Sequence, residues 1–249
     1  MKCIGIIPSR YKSSRFEGKP LADICGKPMV WWVYNQAKKV KELDDVFVAT
    51  DDTRIADVCK QYDIKFVMTS NEHKTPTDRI HEVSTKIEAD YYISINGDEP
   101  LIESETIRSC IPTEKKGNCY VANLMTTIKD PVQAMDPTNL KIVTNDEGSG
   151  VYISRAPIPF PKGSMDFNYK KHVGVYAFDK EALNFYHNTK RGKLESIEDI
   201  DLLRFIENDV NVEFIEADCA VEWGICLFPK TRDIFWVKRR VLEAANCKP

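Results

Sequence analysis

The chain has 249 residues, 43% of them hydrophobic and 29% charged, with a formal net charge of −3. That length suits one large domain with a sizeable core, and the slightly acidic balance excludes the broad basic footprint of a general duplex binder. No apolar run approaches the roughly 18 residues of a membrane span. The first apolar run is strand-length, unlike a signal peptide. The eight cysteines show no C-x-x-C spacing, which predicts reduced thiols in a cytoplasmic protein and no zinc site.

Residues 3–8 form a short apolar run, and the pattern predicts a buried strand. The loop that follows, Ser9-Arg10-Tyr11-Lys12-Ser13-Ser14-Arg15-Phe16-Glu17-Gly18-Lys19-Pro20-Leu21, carries four cations, three of which (Arg10, Arg15, Lys19) would converge, together with the hydroxyls of Ser13 and Ser14. Turn N–H groups freed by small residues cradle phosphate oxygens, and Arg and Lys neutralise their charge, so the loop suits a polyphosphate. A basic loop is more often plain solvated surface. Here the preceding buried strand, the hydroxyls and the helix-like continuation favour a site. It is neither a Walker A loop nor a Gly-x-Gly-x-x-Gly fingerprint.

A helix over 28–39 follows, with Met29, Trp32, Val33 and Ala37 at helical spacing. Next come a strand over 45–50, a helix over 53–62, a strand over 65–68, a helix over 77–88 and a strand over 90–96. This βαβα alternation predicts an α/β fold: a Rossmann-like, mostly parallel sheet with helices on both faces. The second half predicts a hairpin from strands at 140–145 and 151–154, preceded by a strand at 119–127. After the Pro-rich segment 156–161 come a strand at 172–178 and a helix at 180–186. A long helix over 194–208, with Ile197, Ile200, Leu203 and Ile206 as its apolar side, a strand at 212–216 and a closing helix at 232–245 complete the chain. No linker interrupts it, so residues 1–249 read as one domain, with a small β-rich acceptor or dimerisation region over about 119–187.

Three further places carry candidate chemistry. Asp98, in Asn96-Gly97-Asp98-Glu99-Pro100 at a strand end, would face the same crevice as the basic loop. A carboxylate beside polyphosphate is where Mg²⁺ is held; a helix-capping turn Asp is the plainer alternative. Arg79, in Thr77-Asp78-Arg79, either reaches a nucleotide or pairs with Asp78 or Glu82 while Thr77 caps the helix. His172 after Lys170-Lys171 would help hold an anionic acceptor or serve as an ordinary hydrogen-bonding histidine. Glu195 and Glu198 lie three apart on one predicted helix face, either solvated or holding acceptor hydroxyls.

In this order, several segments resemble the 3-deoxy-manno-octulosonate cytidylyltransferases, which have a nucleotide-diphospho-sugar transferase, GT-A-like fold. They are the loop from Ile7 to Leu21, Val48-Ala49-Thr50-Asp51-Asp52, Thr77-Asp78-Arg79 and Gly97-Asp98-Glu99-Pro100. Ser154-Arg155-Ala156-Pro157-Ile158-Pro159, His172-Val173-Gly174-Val175-Tyr176 and Leu194-Glu195-Ser196-Ile197-Glu198 continue the set. The resemblance implies that Arg10, Ser13, Ser14, Arg15 and Lys19 hold the CTP phosphates, with Arg79 and Asn96 near the nucleotide. It makes Arg10, Lys19 and Asp98 the catalytic set, Asp98 the Mg²⁺ ligand, and His172, Glu195 and Glu198 the lining of the sugar-acid pocket. The implied partners are CTP, an acidic acceptor and a second copy of the chain, with no nucleic acid or membrane. The implied reaction is attack of the acceptor's anomeric hydroxyl on the α-phosphorus of CTP, releasing pyrophosphate for surface-polysaccharide synthesis.

The chain departs from that family in places. Asn96 stands where the family has Gln. Pro229 falls near the family's late metal-binding Asp, with Asp233 matching a later acid. Lys190-Arg191-Gly192-Lys193 replaces a Pro-rich approach to Leu194, which raises a different, phosphorylated small acid as a rival acceptor. The missing Asp raises a second rival, a nucleotide-binding regulatory protein without catalysis.

Overall fold

The computed structural model describes residues 1–12, 16–164 and 166–217. The predicted closing helix, Pro229 and Asp233 lie outside these residues.

An apolar run with no polar face belongs between two covering layers, and β1 (Cys3–Ser9) takes that place. Its side chains alternate: Cys3 and Ile7 join one hydrophobic cluster, Ile4 and Ile6 the other. A 3₁₀ turn at Lys19–Leu21 and a small hairpin of β2 (Asp23–Ile24) and β3 (Lys27–Pro28) lead into α1 (Met29–Ala37). Then come β4 (Asp45–Thr50), α2 (Thr53–Gln61), β5 (Phe66–Met68), α3 (Pro76–Lys86), β6 (Tyr91–Ile95) and α4 (Ser104–Ser109). The second half runs β7 (Val121–Thr127), α5 (Pro131–Met135), β8 (Lys141–Thr144), β9 (Gly150–Ser154), β10 (Lys170–Phe178), α6 (Lys180–Asn188), α7 (Lys193–Glu198), α8 (Leu203–Ile206) and β11 (Glu213–Glu216).

The strands form one nine-stranded sheet in the order β11-β7-β10-β6-β1-β4-β5, with β8 and β9 attached through β10. Strands β6, β1, β4 and β5 are parallel, so their C-terminal ends open on one edge. The mostly parallel sheet expected from the sequence is thus present, with β10 inserted antiparallel between β6 and β7. The expected hairpin is β8–β9. One face is covered by α1, α2 and α4 through Val30, Val33, Ile55, Cys59 and Ile107. The other is covered by α3, α6 and α8 through Ile80, Val83, Leu183, Tyr186 and Phe205. The five described cysteines are free thiols, and burial pushes Cys3 and Cys59 each up to about 11.

One predicted element is corrected. The helix expected over 194–208 is two short helices, α7 and α8, separated at Asp199, whose φ is 54°. In a straight helix, residues nine apart point in opposite directions. Here Glu195 and Arg204 must meet, because both are buried and charged, and Arg204 Nε and Nη2 each donate to a Glu195 oxygen at 2.7 Å. The break folds the segment back to join them. It also reverses the expected facing, since Ile197 is 79% exposed while Glu195 is 0% exposed.

Candidate active site

The open edge of the parallel strands gathers three segments: 10–12 and 16–18 after β1, 51–52 after β4 and 96–103 after β6. Ligands of open α/β sheets sit at such an edge. Lys19 Nζ donates to Asp98 Oδ2 at 2.6 Å, with both side chains partly accessible. The basic loop and the Asn96–Glu99 turn, far apart in sequence, therefore share one crevice. Gly97 makes the approach possible, since a Cβ there would stand 3.1 Å from the Pro8 carbonyl oxygen and 3.2 Å from Ser9 Oγ. The N-cap position of the next helix, α4, is Glu103, and Asp98 meets Lys19, so the helix-capping alternative does not describe it.

Arg10 is exposed at the rim. Ser13, Ser14 and Arg15 lie outside the described residues. The neck of the loop is closed by the Gly18 N–H donating to the Tyr11 carbonyl at 2.8 Å. Gly18 takes φ 69°, and a Cβ there would press on the Tyr11 ring at 3.1 Å. The other face of the neck carries a clamp: the Arg54 guanidinium lies 3.2 Å from the Tyr11 ring centroid. Asp52 holds that guanidinium through two hydrogen bonds, of 2.9 and 2.7 Å, while also capping α2. The Asp52 carboxyl is accordingly held below the usual range, chiefly by its bond from Arg54.

Arg79 does neither of the things considered for its local partners. It is buried, donates to Thr69 Oγ1 and pairs with Asp51 Oδ2 at 3.4 Å, at the end of β4. Burial is the largest influence on its guanidinium and lowers its pKa. The cap of α3 is Thr75, which accepts from Asp78 N, and Glu82 bonds Ser70, His73 and Lys86 instead. Asp51 Oδ1 is buried without a hydrogen-bond partner among the described residues.

On the neighbouring side, His172 lies in the third position of β10 and meets Tyr176 edge-on at 6.0 Å. Burial, then the charges of Lys171 and Arg155, push the imidazole down to about 4, so it is neutral at pH 7 and offers hydrogen bonds, not charge. Glu195 and Glu198 do not share a solvent face. Glu195 pairs with Arg204 in the interior. Glu198 accepts from Ser154 Oγ at 2.6 Å and from the Arg155 N–H at 2.9 Å. The Arg155 side chain donates in turn to the carbonyls of Glu198, Pro137 and Asp199. Its carbonyl accepts from Lys141, a fully buried lysine whose other donors go to the carbonyls of Asp136 and Asn139. Arg191, one of the cations that suggested a phosphorylated acceptor, pairs with Asp199 and Glu195.

Sequence reasoning missed the residues that hold the Asn96–Glu99 turn. Asn96 N–H donates to the Gly174 carbonyl at 2.8 Å, and the Gly174 N–H donates to Glu99 Oε1 at 3.1 Å. The signal was present: a glycine inside the strand pattern His-Val-Gly-Val-Tyr marks a bulge or a close approach.

Comparison with known proteins bears on this arrangement. A family model described as cytidylyltransferase matches residues 4–214. The 3-deoxy-manno-octulosonate cytidylyltransferase of Escherichia coli is 36% identical over 216 residues, 87% of this chain and 88% of that protein. The 8-amino-3,8-dideoxy-manno-octulosonate cytidylyltransferase of Shewanella pealeana is 36% identical over 233 residues, 89% of this chain and 95% of that protein. A solved structure of CMP:2-keto-3-deoxy-manno-octonic acid synthetase, complexed with CTP, superposes with a TM-score of 0.88 at 33% identity, covering 98% of this chain and 100% of that one.

Proposed function

Because the chain belongs to the cytidylyltransferase family, we propose that it transfers CMP from CTP to 3-deoxy-manno-octulosonate, releasing pyrophosphate, in surface-polysaccharide synthesis. The observation that carries the reading is the Lys19–Asp98 pair at the open edge of the sheet. It sets a cation and a carboxylate at the place where a triphosphate would lie.

The acceptor's anomeric hydroxyl attacks the α-phosphorus. The new P–O bond forms as the bond from that phosphorus to the bridging oxygen of the β-phosphate breaks, and the hydroxyl proton passes to water. Arg10 and Lys19 neutralise the non-bridging and leaving-group oxygens, with Ser13, Ser14 and Arg15 completing the loop. Preorganised charge of this kind is the main device available to phosphoryl-type transfer. Arg79 and Asn96 border the nucleotide. His172, neutral at working pH, would donate or accept a hydrogen bond at the acid, beside Glu198 and the Ser154–Arg155 segment that it shapes; Glu195 supports that wall from inside.

Mg²⁺ fits the donor set. Asp98 is a single, partly accessible carboxylate, and the described residues contain no cluster of three or more His, Cys, Asp or Glu side chains that would hold a metal. Mg²⁺ typically takes one or two carboxylates and fills its remaining positions with phosphate oxygens and water. When bound, it would supply charge neutralisation at the triphosphate and acidify a nearby hydroxyl. Asp98 would hold it, and Lys19 would then turn from Asp98 to the phosphates.

The Shewanella relative, as similar to this chain as the Escherichia coli one, favours a second acceptor, 8-amino-3,8-dideoxy-manno-octulosonate. A homodimer is supported by exposed apolar side chains in the β-rich half: Val132 at 73%, Met135 at 69% and Phe160 at 84%. The His172–Tyr186 stretch is a poorer interface, since most of its apolar residues are inside the monomer. Free thiols, and the absence of any described helix long and apolar enough to cross a membrane, fit a cytoplasmic location. Pyrophosphate release with CTP and a panel of acids tests the whole reading. Turnover with either octulosonate supports it, and no CTP-dependent turnover with any acid would overturn it.

A further inference from the structure

The turn that carries Asp98 is gripped from β10, and the grip begins at a residue outside the site. Along β10 the pairing with β7 slips: Val173 lies opposite Leu124, but Tyr176 lies opposite Asn123. Gly174 and Val175 therefore form a bulge that β7 does not match. Asn123 fills the gap. It is fully buried, and its Nδ2 donates to the carbonyls of Val173 and Val175, each at 2.9 Å. Two carbonyl acceptors fix which end of the amide faces the bulge. Its Oδ1 is buried with no hydrogen-bond partner among the described residues, so the residue contributes through its two donors.

The bulge turns Gly174 onto the site. Its N–H reaches Glu99 Oε1 and its carbonyl receives the Asn96 N–H, so both flanks of Gly97-Asp98 are tied to one residue. The fit excludes any side chain: a Cβ on Gly174 would stand 2.7 Å from Asn96 Cγ. On the opposite flank Gly97 is wedged against the end of β1. Asp98 is thus aimed at Lys19 by a chain of contacts that starts in the middle of β7.

We propose that Asn123 is a positioning residue for cytidylyl transfer: by closing the β10 bulge it fixes Gly174, and through Gly174 the turn that presents Asp98. This rests on the reading of Asp98 as the carboxylate on the phosphate side of the site. In Asn123→Leu, which keeps the branched four-atom shape of the side chain and removes both donors, kcat falls about 10- to 100-fold and the Mg²⁺ concentration for half-maximal turnover rises about 10-fold. The KM for CTP, set mainly by the basic loop, stays at the parent value. In the metal-free protein, amide exchange rises at Asn96 and Glu99 while the preceding strand β6 keeps its protection. Added to Asp98→Asn, the Leu substitution lowers kcat no further, because it acts through the same carboxylate. Asn123→Thr, with one donor left, gives intermediate values and decides the matter if the Leu variant does not fold.

Folded Asn123 variants with parent kcat, Mg²⁺ dependence and exchange, beside an inactive Asp98→Asn, overturn this inference alone. So does a loss that multiplies with Asp98→Asn, or exchange that rises across the whole sheet. Parent turnover by Asp98→Asn overturns the reading of Asp98 and this inference with it.

Discussion

The two halves of the molecule use charge differently. Around the ends of β1 and β6, charged groups lie at the surface of a crevice: Arg10 is exposed, and Lys19 and Asp98 are partly open and neutralise one another. In the half built on β8 to α8, the buried and half-buried charges are tied into the protein. Lys141 holds three carbonyls, Glu198 holds Ser154 and Arg155, and Glu195 holds Arg204. The first arrangement leaves charge ready for a ligand, whereas the second fixes the shape of a wall. Substitutions in the first should therefore strike turnover, and in the second stability.

The largest effect expected from this contrast is at Lys19. Lys19→Met should lower kcat/KM about 1,000-fold, roughly 4 kcal/mol of barrier, with little change in melting temperature. A loss of folding with parental turnover per folded molecule would erase the contrast. Next comes Glu195→Gln, which strips one partner from a buried pair. It should cost about 3 kcal/mol of stability in denaturant titration, with kcat per folded molecule changed much less. A selective collapse of turnover in a stable Glu195→Gln protein would instead make Glu195 an acceptor ligand.

Asp201 gives a smaller, pH-dependent effect. Burial raises its carboxyl from 3.8 to about 6, although Thr77 donates to it at 2.9 Å. A raised acid pKa means that the folded chain keeps a proton the unfolded chain has lost. Its contribution to stability is full below the ordinary value and is lost as pH rises through about 6. Within that window the slope is roughly 1 kcal/mol per pH unit, and Asp201→Asn should abolish it. Equal pH slopes for parent and variant, followed by thermal melts between pH 4 and 7, would contradict the assignment. Smallest is Arg54→Met, which unclamps Tyr11: a severalfold rise in the KM for CTP with kcat and the KM for the acid unchanged. A change in acceptor KM instead would move the clamp's role to the other half.

The same contrast governs what was legible in the sequence. The strand at 45–50, apolar from Val46 to Ala49, was read to its ends, because a continuous apolar run of that length between polar residues points to a buried strand. That Asp98 faces the same crevice as the basic loop was also legible, since parallel topology brings their loops to one edge, but its pairing with Lys19 was not. The broken helix at 194–208 was not legible. Its apolar spacing is compatible with one helix, and only the need to join two buried charges nine residues apart breaks it. The bulge at Gly174 has a local signal, but its partners, Asn96, Glu99 and Asn123, come from two other strands or their ends. No short-range pattern reports such a three-strand contact.

The central claim is that the carboxylate facing Lys19 serves the transfer itself. The direct measurement is pyrophosphate release by Asp98→Asn with CTP, 3-deoxy-manno-octulosonate and Mg²⁺ varied to saturation, on protein shown to melt like the parent. The account predicts a loss of about 100-fold or more that added Mg²⁺ does not restore. Parental turnover with an unchanged Mg²⁺ dependence would contradict it.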